Sequence, residues 1–309
     1  MSVQMGQVVS VKRTFTQSDF DRFAALSGDD NPIHVDTDFA AQTKFGRPVA
    51  HGMLLYGAVC GILGHRLPGP GTVQIEQDLM FPSPTYTDEE VTIRLEATEV
   101  QPGEGLADLS TVVTRPDGNV GLQGRTLVRL PGRRSHPDAQ AFGGFEGSRE
   151  RQRGAAESED VSHKGLEIGQ SVEARRTFTV QDLEEYADLS GDSNPVFTDP
   201  GYARKLGLEG LIIPGSLIGG MFSYLLGTRL PGRGTNYLKQ QLRFPAFAHP
   251  GQELTAAIEI IRIRPEKQLV NLRTICTTPV GDGSTQSPVV CRGEALVLVS
   301  DVEASAERG

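Results

Sequence analysis

The sequence predicts an α+β protein built from two tandem copies of one domain, each an antiparallel sheet wrapped around a single central helix. The first observation is a repeated octapeptide, SGDDNPIH at 27–34 and SGDSNPVF at 190–197. The second is that each copy contains one segment that is apolar on nearly all sides, followed by strand-like segments. Because such a helix must be covered by other structure, we expect each sheet to curl around its helix.

The repeat extends well beyond the octapeptide. At the same offset of 163 residues (190 − 27), RTFT at 13–16 recurs at 176–179, and LGHRLPGPGT at 63–72 resembles LGTRLPGRGT at 226–235. A charged, glycine-bearing stretch without apolar periodicity separates the copies and is typical of a solvated linker. The predicted organisation is an N-terminal domain at 1–131, a linker at 132–165, a C-terminal domain at 166–303 and a tail at 304–309.

Each element of the first copy has its own sequence signal. Thr16 followed by Asp19 predicts the start of a helix, and Gly28 with Pro32 predicts that the octapeptide is a structured loop. The run HGMLLYGAVCGILG predicts the buried helix, and alternating segments bounded by turn residues predict four strands. The predicted helices are 17–27, 37–44 and 51–64, and the predicted strands are 72–81, 91–100, 106–114 and 119–130.

Composition narrows the classes of function. The chain of 309 residues has a net charge of −9 and a pI near 5.3, which argues against general binding to nucleic acid or to anionic membranes. No apolar run reaches the length of a membrane span, and no signal peptide is apparent, so we expect a cytoplasmic protein. No phosphate loop, dinucleotide fingerprint or zinc spacing is present, so neither a metal nor a redox cofactor is expected. The cysteines are few and odd in number: Cys60, Cys276 and Cys291.

The two octapeptides differ at one chemically informative position. His34 in the first copy corresponds to Phe197 in the second, so the loop can do without an imidazole there. A histidine exchanges protons near neutral pH and is suited to act as a general base, with Asp29 in the same loop beside it. Asn31 could orient the pair or a water molecule, although loop geometry alone could also explain Asn31, since Asn194 repeats it.

The stretch FAALSGDDNPIHVDTDFA at 23–40, with VAHGMLL at 49–55, resembles the MaoC-type hydratases, the R-specific enoyl-CoA hydratase family of the hot-dog fold. The resemblance covers most of both halves and implies a tandem double hot dog in which the copies pack as a pseudo-dimer. It implies a hydro-lyase that reversibly hydrates trans-2-enoyl-CoA to R-3-hydroxyacyl-CoA, as in fatty-acid metabolism, with coenzyme A present only as part of the substrate. By the same resemblance, Asp29 and His34 share the reacting water, and the Gly52 N–H binds the thioester oxygen.

The resemblance also bears on the remaining site residues. The family often has a serine near the thioester where this chain has Cys60, whose counterpart in the second copy is Ser223. We therefore include Cys60, with Asn31, as a supporting residue, and interpret His51 as a residue at the helix entry. The second motif, Asp192, Asn194 and Phe197, is interpreted as degenerate. Its Phe197 is expected to add apolar surface to a site between the halves.

Several alternatives stay open at this stage. The substrate could be a branched or dicarboxylic enoyl-CoA such as mesaconyl-CoA, or the chain could be a hot-dog thioesterase or a noncatalytic acyl-CoA-binding protein. Thioesterases of this fold typically carry an acid on the central helix, which neither copy has. Acyl-chain length, reaction direction, the donor of the α-carbon proton and homodimer formation are not specified. Lys44, Arg47 and Arg66 could bind the phosphates of coenzyme A, but ordinary surface charge explains them equally well.

Overall fold

The computed structural model describes residues 3–132, 162–280 and 287–302. The predicted tail at 304–309 lies outside these ranges, as does nearly all of the predicted linker at 132–165. The predicted domain limits therefore stay predictions, whereas the fold of each half is described almost completely.

A single antiparallel sheet of ten strands runs through both halves, in the order β1-β3-β4-β5-β2-β7-β10-β9-β8-β6. Each half contributes five neighbouring strands. The strands of the first half are β1 (Val8–Thr14), β2 (Val73–Met80), β3 (Glu90–Gln101), β4 (Leu106–Thr114) and β5 (Val120–Arg129). Those of the second half are β6 (Ser171–Thr177), β7 (Asn236–Arg243), β8 (Glu253–Arg264), β9 (Leu269–Thr277) and β10 (Val289–Leu298).

The described residues of each half also form four α-helical segments, in the same order. The helices of the first half are α1 (Gln17–Ser27), α2 (Pro32–Val35), α3 (Thr37–Ala41) and α4 (Gly52–His65). Those of the second half are α5 (Val180–Ser190), α6 (Pro195–Thr198), α7 (Pro200–Lys205) and α8 (Gly215–Thr228). One 3-10 turn, Pro265–Lys267, joins β8 to β9. No helix within the described ranges combines the length and the apolar character needed to cross a bilayer.

The two halves are joined through β2 and β7, which pair antiparallel in the middle of the sheet. Asp78 lies opposite Gln241, and these two residues are themselves separated by the repeat offset of 163. The approximate two-fold axis that relates the halves therefore passes through this pair. The predicted pseudo-dimer is confirmed, and it takes the form of one continuous sheet.

The central helix of each half is the feature that the sheet surrounds. Every residue of α4 from 53 to 64 is buried, and α8 packs beside it. The inward-facing side chains of the sheet, such as Val91, Ile93 and Leu95 on β3, are almost completely removed from solvent. Covering such apolar surface provides most of the driving force for folding, and the predicted sheet around one helix is confirmed.

Two local features differ from the predictions. The strand at the start of each half, β1 or β6, was not predicted, because its alternating side chains are exposed or half-buried at the outer edge of the sheet. The octapeptide was predicted to be loop throughout, yet Pro32–Val35 forms one helical turn. Proline is well accommodated there, because the first residue of a helix needs no hydrogen-bonded N–H.

Candidate active site

The octapeptide reverses the chain at the end of α1 and turns polar side chains inward. Gly28 caps α1 with φ 82°, a left-handed conformation that glycine adopts without strain. Asn31 then caps the short helix α2, its side-chain oxygen accepting a hydrogen bond from the Ile33 N–H. These turns place Asp29 inside the protein and put His34 one helical turn further along.

His34 is held by a backbone carbonyl in a single tautomer. Its Nδ1 lies 2.7 Å from the Val49 oxygen, and because a carbonyl can only accept, Nδ1 carries the proton. Nε2 is therefore the unprotonated nitrogen and can accept a proton. Burial lowers the pKa of His34, with an opposing effect from the negative charge of Asp29. The ring is thus neutral at neutral pH, the form that a general base requires.

Asp29 is only 1% exposed and is bonded to a residue of the other half. The Ser223 hydroxyl donates to its Oδ2 over 2.6 Å, while Oδ1 has no hydrogen-bond partner among the described residues. Burial raises the pKa of the Asp29 carboxyl, and this is opposed by the nearby His34 and by the hydrogen bond from Ser223. An unpaired buried carboxylate oxygen costs free energy unless a ligand or water supplies a donor.

The spacing between Asp29 and His34 suits one shared water molecule. A carboxylate oxygen of Asp29 and a ring nitrogen of His34 lie within 4.8 Å of each other. Two hydrogen bonds of about 2.8 Å that meet at a tetrahedral oxygen would place their outer atoms roughly 4.6 Å apart. The two side chains that were predicted to act together are therefore close enough to hold a single water between them.

A second histidine, His51, belongs to the same cluster and was not predicted to do so. Its ring stacks on that of His34 with centroids 3.8 Å apart, and its Nε2 lies 2.9 Å from the Asp29 backbone oxygen. Burial lowers the pKa of His51 well below its ordinary value, and the proximity of His34 lowers it further. One signal was present in the sequence: the second copy lacks both histidines, with Phe197 and Pro214 in their places.

Asp29, His34 and His51 are also the group whose spacing could admit a metal ion. The imidazole rings, however, lie face to face at an interplanar angle of 29°, so their in-plane lone pairs run side by side rather than converging. The Nδ1 of His34 and the Nε2 of His51 already donate to carbonyl groups. This arrangement is better suited to a water than to a metal, and the expectation of no metal stays a prediction.

Asp29 and His34 line a cavity of about 240 Å³ between the halves. Gly52, at the first position of α4, lines it, and like the first N–H groups of any helix, that of Gly52 has no partner within its own helix. The positive end of the helix dipole adds to its attraction for negative charge. Most of the remaining wall is apolar and includes Ile33, Leu55 and Phe81 from the first half, with Leu226, Tyr237 and Leu238 from the second.

The second half reaches this cavity through its central helix. A side-chain carbon at Gly227 on α8 would lie 3.0 Å from the Asn31 amide nitrogen, so glycine allows the loop of the first half to approach closely. One turn earlier on the same helix, Ser223 faces Asp29. The loop of one half therefore packs on the helix of the other. Sequence reasoning missed Ser223 as a site residue, although the repeat identified it as the counterpart of Cys60.

The predicted supporting role of Cys60 in this cavity is not what the structure shows. Cys60 lines a second cavity, of about 40 Å³, together with Asp192 and Asn194. The reason is that the octapeptide loop of each half packs on the central helix of the other half, so α4 lies against the second octapeptide. Burial raises the pKa of Asp192 to about 7.

Phe197 was expected to add apolar surface to the reacting site, and it also lies in the second cavity. It packs there against buried apolar residues such as Val196 and Ile212. The structure thus brings Asp29, Asn31 and His34 together, with Gly52 in the same cavity, and separates the degenerate motif from them.

Three cationic side chains, those of Lys44, Arg47 and Arg66, could bind the phosphates of coenzyme A according to the sequence. Lys44 lines the first cavity, where its ammonium lies 2.7 Å from a carboxylate oxygen of Asp301. Arg47 is paired with Glu89, and neither Arg47 nor Arg66 is among the residues that line the cavity. Of the three, only Lys44 is placed to contact a ligand in the cavity.

Comparison with known proteins identifies the domain that is repeated in each half. The family model described as "MaoC like domain" matches residues 2–115 and 163–278, once in each half. The chain is similar to an (R)-specific enoyl-CoA hydratase from Aeromonas caviae, at 38% identity over 130 residues, covering 42% of this chain and 97% of the relative. It is also similar to a 3-hydroxybutyryl-CoA dehydratase from Methylorubrum extorquens, at 37% identity over 143 residues, covering 46% and 90%.

Two solved structures share the overall architecture. One is a MaoC-like dehydratase, with a TM-score of 0.71, 17% identity and coverage of 96% of this chain and 98% of that one. The other is a Mycobacterium tuberculosis protein described as having a double hotdog fold, with a TM-score of 0.72, 16% identity and coverage of 96% of both chains. These likenesses confirm the predicted double hot-dog fold. Together with the match of the family model to both halves, they show that the chain belongs to the family of MaoC-like domain proteins.

Proposed function

We propose that this protein is a hydro-lyase that adds water reversibly to a trans-2-enoyl-CoA and forms the R-3-hydroxyacyl-CoA, at one site per chain in the N-terminal half. The observation that carries the proposal is that a carboxylate oxygen of Asp29 and a ring nitrogen of His34 lie within 4.8 Å of each other, at a cavity that Gly52 also lines. The similarity to an (R)-specific enoyl-CoA hydratase supports both the reaction and its stereochemistry.

Each polar group has a role in this reaction. Nε2 of His34 takes a proton from the water, and the oxygen of that water bonds to C3 of the enoyl chain. The Gly52 N–H binds the thioester oxygen as it gains negative charge, and one such donor contributes roughly 10²-fold or more in rate. A proton returned to C2 from the Asp29 and His34 pair replaces the one removed, so the enzyme ends as it began. This chemistry requires no metal or redox cofactor.

The cavity wall favours an uncharged acyl chain. A dicarboxylic substrate such as mesaconyl-CoA would bury a second carboxylate, which is costly without a cationic partner. Among the described residues that line the cavity, Lys44 is the one cation, and it is paired with Asp301. We therefore propose an apolar acyl group as the natural substrate, straight or branched.

The alternative functions receive less support from the same contacts. Neither central helix, α4 or α8, contains an Asp or Glu that could serve as a thioesterase acid. A noncatalytic binding protein would not need a buried carboxylate with an unpaired oxygen next to a histidine held in one tautomer. Hydration uses both features.

The test is kinetic and stereochemical. The purified chain is assayed with crotonyl-CoA and with longer, branched and dicarboxylic enoyl-CoA thioesters, and the product is resolved by chiral chromatography. We expect R-3-hydroxyacyl-CoA from the apolar substrates. Absence of turnover with all of them, release of free coenzyme A instead of hydration, or full activity of a His34→Ala variant would each contradict the proposal.

Location and assembly are part of the proposal. The three cysteines are buried and unpaired, which suits the reducing cytoplasm. We further propose that the double unit pairs again into a homodimer, and analytical ultracentrifugation of the full chain would test this. A sedimenting species with the mass of one chain at all protein concentrations would contradict dimer formation.

A further inference from the structure

His51 precedes α4, but it makes contacts that a residue at the start of a helix does not ordinarily make. Its ring is fully buried, with Phe23 at a centroid distance of 5.1 Å and Phe20 at 6.2 Å. The ring of His34 stacks on it with centroids only 3.8 Å apart. The orientation of the proposed base is therefore set by contact with a second, buried imidazole.

The same ring also holds the other member of the pair. Because the Asp29 backbone oxygen can only accept, Nε2 of His51 carries the proton and donates over 2.9 Å. Its Nδ1 is then unprotonated and has no partner among the described residues. His51 does not line the cavity, so it has no direct contact with a substrate bound there.

We propose that His51 is a positioning residue, which holds the His34 ring through stacking and the Asp29 backbone through its N–H so that both side chains meet one water. This inference rests on the proposed hydration reaction. His51 acts through the other two residues and takes no proton itself.

The second half shows that the fold does not require this histidine. There, Pro214 precedes α8 with φ −57°, nearly the same as the −58° of His51 before α4, and neither side chain caps its helix. The second octapeptide keeps its turn, since Asn194 caps α6 as Asn31 caps α2. The second half therefore has no histidine at the positions equivalent to His34 and His51, although its octapeptide loop forms the same turn.

Three variants separate the two contacts. His51→Phe retains a stacking ring without the donor, His51→Gln retains an N–H donor without the ring, and His51→Leu lacks both. We expect kcat to fall about 10-fold in each of the first two and about 100-fold in His51→Leu, as a lost hydrogen bond or packing contact would predict. KM should stay within about 2-fold, because the residue does not touch the substrate.

Phe20→Leu is the matched control, because it changes an edge-on neighbour of the His51 ring and leaves the stacking and hydrogen-bonding groups of His51 itself in place. We expect it to lower the unfolding temperature while leaving kcat unchanged. The ring nitrogen shifts of His34, followed by NMR in full-length protein, give a readout that needs no turnover. Because the Val49 oxygen accepts from Nδ1 in both proteins, the tautomer should be the same, but the His34 ring should give one environment in the wild type and more than one in His51→Leu.

The outcomes separate this inference from the proposed function. An active wild type with an equally active His51→Leu, or a loss that appears in KM alone, would overturn the positioning role. So would a single, unchanged His34 ring environment in His51→Leu. A wild type that hydrates no enoyl-CoA would overturn the proposed reaction, and the NMR comparison would still decide whether His51 holds the His34 ring.

Discussion

The Ser223 hydroxyl donates a hydrogen bond of 2.6 Å to Oδ2 of Asp29, although the two residues belong to different halves of the chain. A site whose proposed base and acid both lie in the first half is therefore completed by the second half. This contact gives the degenerate half a direct part in the proposed chemistry, because the hydrogen bond favours the ionised form of the Asp29 carboxyl and fixes the position of Oδ2.

The first prediction concerns the two aspartates of the repeated loop. Asp29→Ala and His34→Ala should each reduce kcat/KM about 10²-fold or more, the range for loss of general acid–base catalysis. Asp192→Ala should leave the rate within about 2-fold, because Asp192 lies in the second cavity. Steady-state kinetics with crotonyl-CoA would check this, and equal losses for both aspartates would mean that the second loop also reacts.

The second prediction concerns the bond between the halves. Ser223→Ala should lower kcat about 10-fold to 100-fold, because a hydrogen bond to a charged group contributes roughly 1.5 to 3 kcal/mol. That bond lowers the pKa of Asp29, so its removal raises this pKa, and the acid limb of kcat/KM should move to higher pH. The equivalent change in the other half, Cys60→Ala, is the control and should preserve both the rate and the pH profile.

The third prediction concerns the start of the two central helices. A Cβ at Gly52 would lie 2.7 Å from the Phe81 ring, and one at Gly215 would lie 2.5 Å from the Phe244 ring. Gly52→Ala and Gly215→Ala should therefore cost similar stability, measured as urea midpoints. Only Gly52→Ala should also lower kcat, since Gly52 lines the cavity proposed to bind the thioester whereas Gly215 lines the second cavity. A comparable loss of kcat in Gly215→Ala would contradict the assignment of Gly52.

The fourth prediction concerns the stability of the fold as pH changes. The folded pKa of Asp192 is about 7, raised by burial from an ordinary value of 3.8, so the folded state binds its proton more tightly than the unfolded chain does. Its contribution to stability therefore decreases as pH rises from about 4 to about 7 and is then constant, a total of about 4 kcal/mol.

Asp192→Asn removes this titration while retaining a side-chain oxygen for the Asn194 N–H. We expect the variant to unfold at higher urea than wild type near pH 8, and the difference to shrink towards about pH 5. Paired urea titrations at the two pH values measure it directly. A difference that is the same at both values would show that Asp192 does not titrate in this way.

Sequence reasoning succeeded where the signal is local. Thr16 and Asp19 form the predicted capping box of α1, and the apolar run predicted the central helix to within a residue at each end. It failed for β1, because a half-exposed edge strand has neither the apolar content nor the turn signals of an inner strand. The repeat predicted two halves, and their pairing through one continuous sheet agrees with it.

The placement of Cys60 and Ser223 could not be predicted in this way. Positions 60 and 223 are related by the repeat offset of 163 residues and lie at the same place on their central helices. The sequence is therefore consistent with each helix facing its own loop or the loop of the other half. Only packing of α8 against the first loop, which Gly227 permits, decides between the two arrangements. His51 was not predicted to belong to the site for a related reason. Its ring stacks on that of His34, and such a contact between two separate segments leaves no periodic pattern in the sequence.

Phe197, in the small second cavity, shows what becomes possible when two copies of a domain are encoded in one gene. In an enzyme assembled from two identical chains, one codon specifies the histidine of both sites, so a change to phenylalanine would abolish both at once. When two copies are joined in one gene, each loop has its own codon, and selection can keep His34 while position 197 drifts. In a fused chain the second loop can therefore carry Phe197 while the first loop keeps His34.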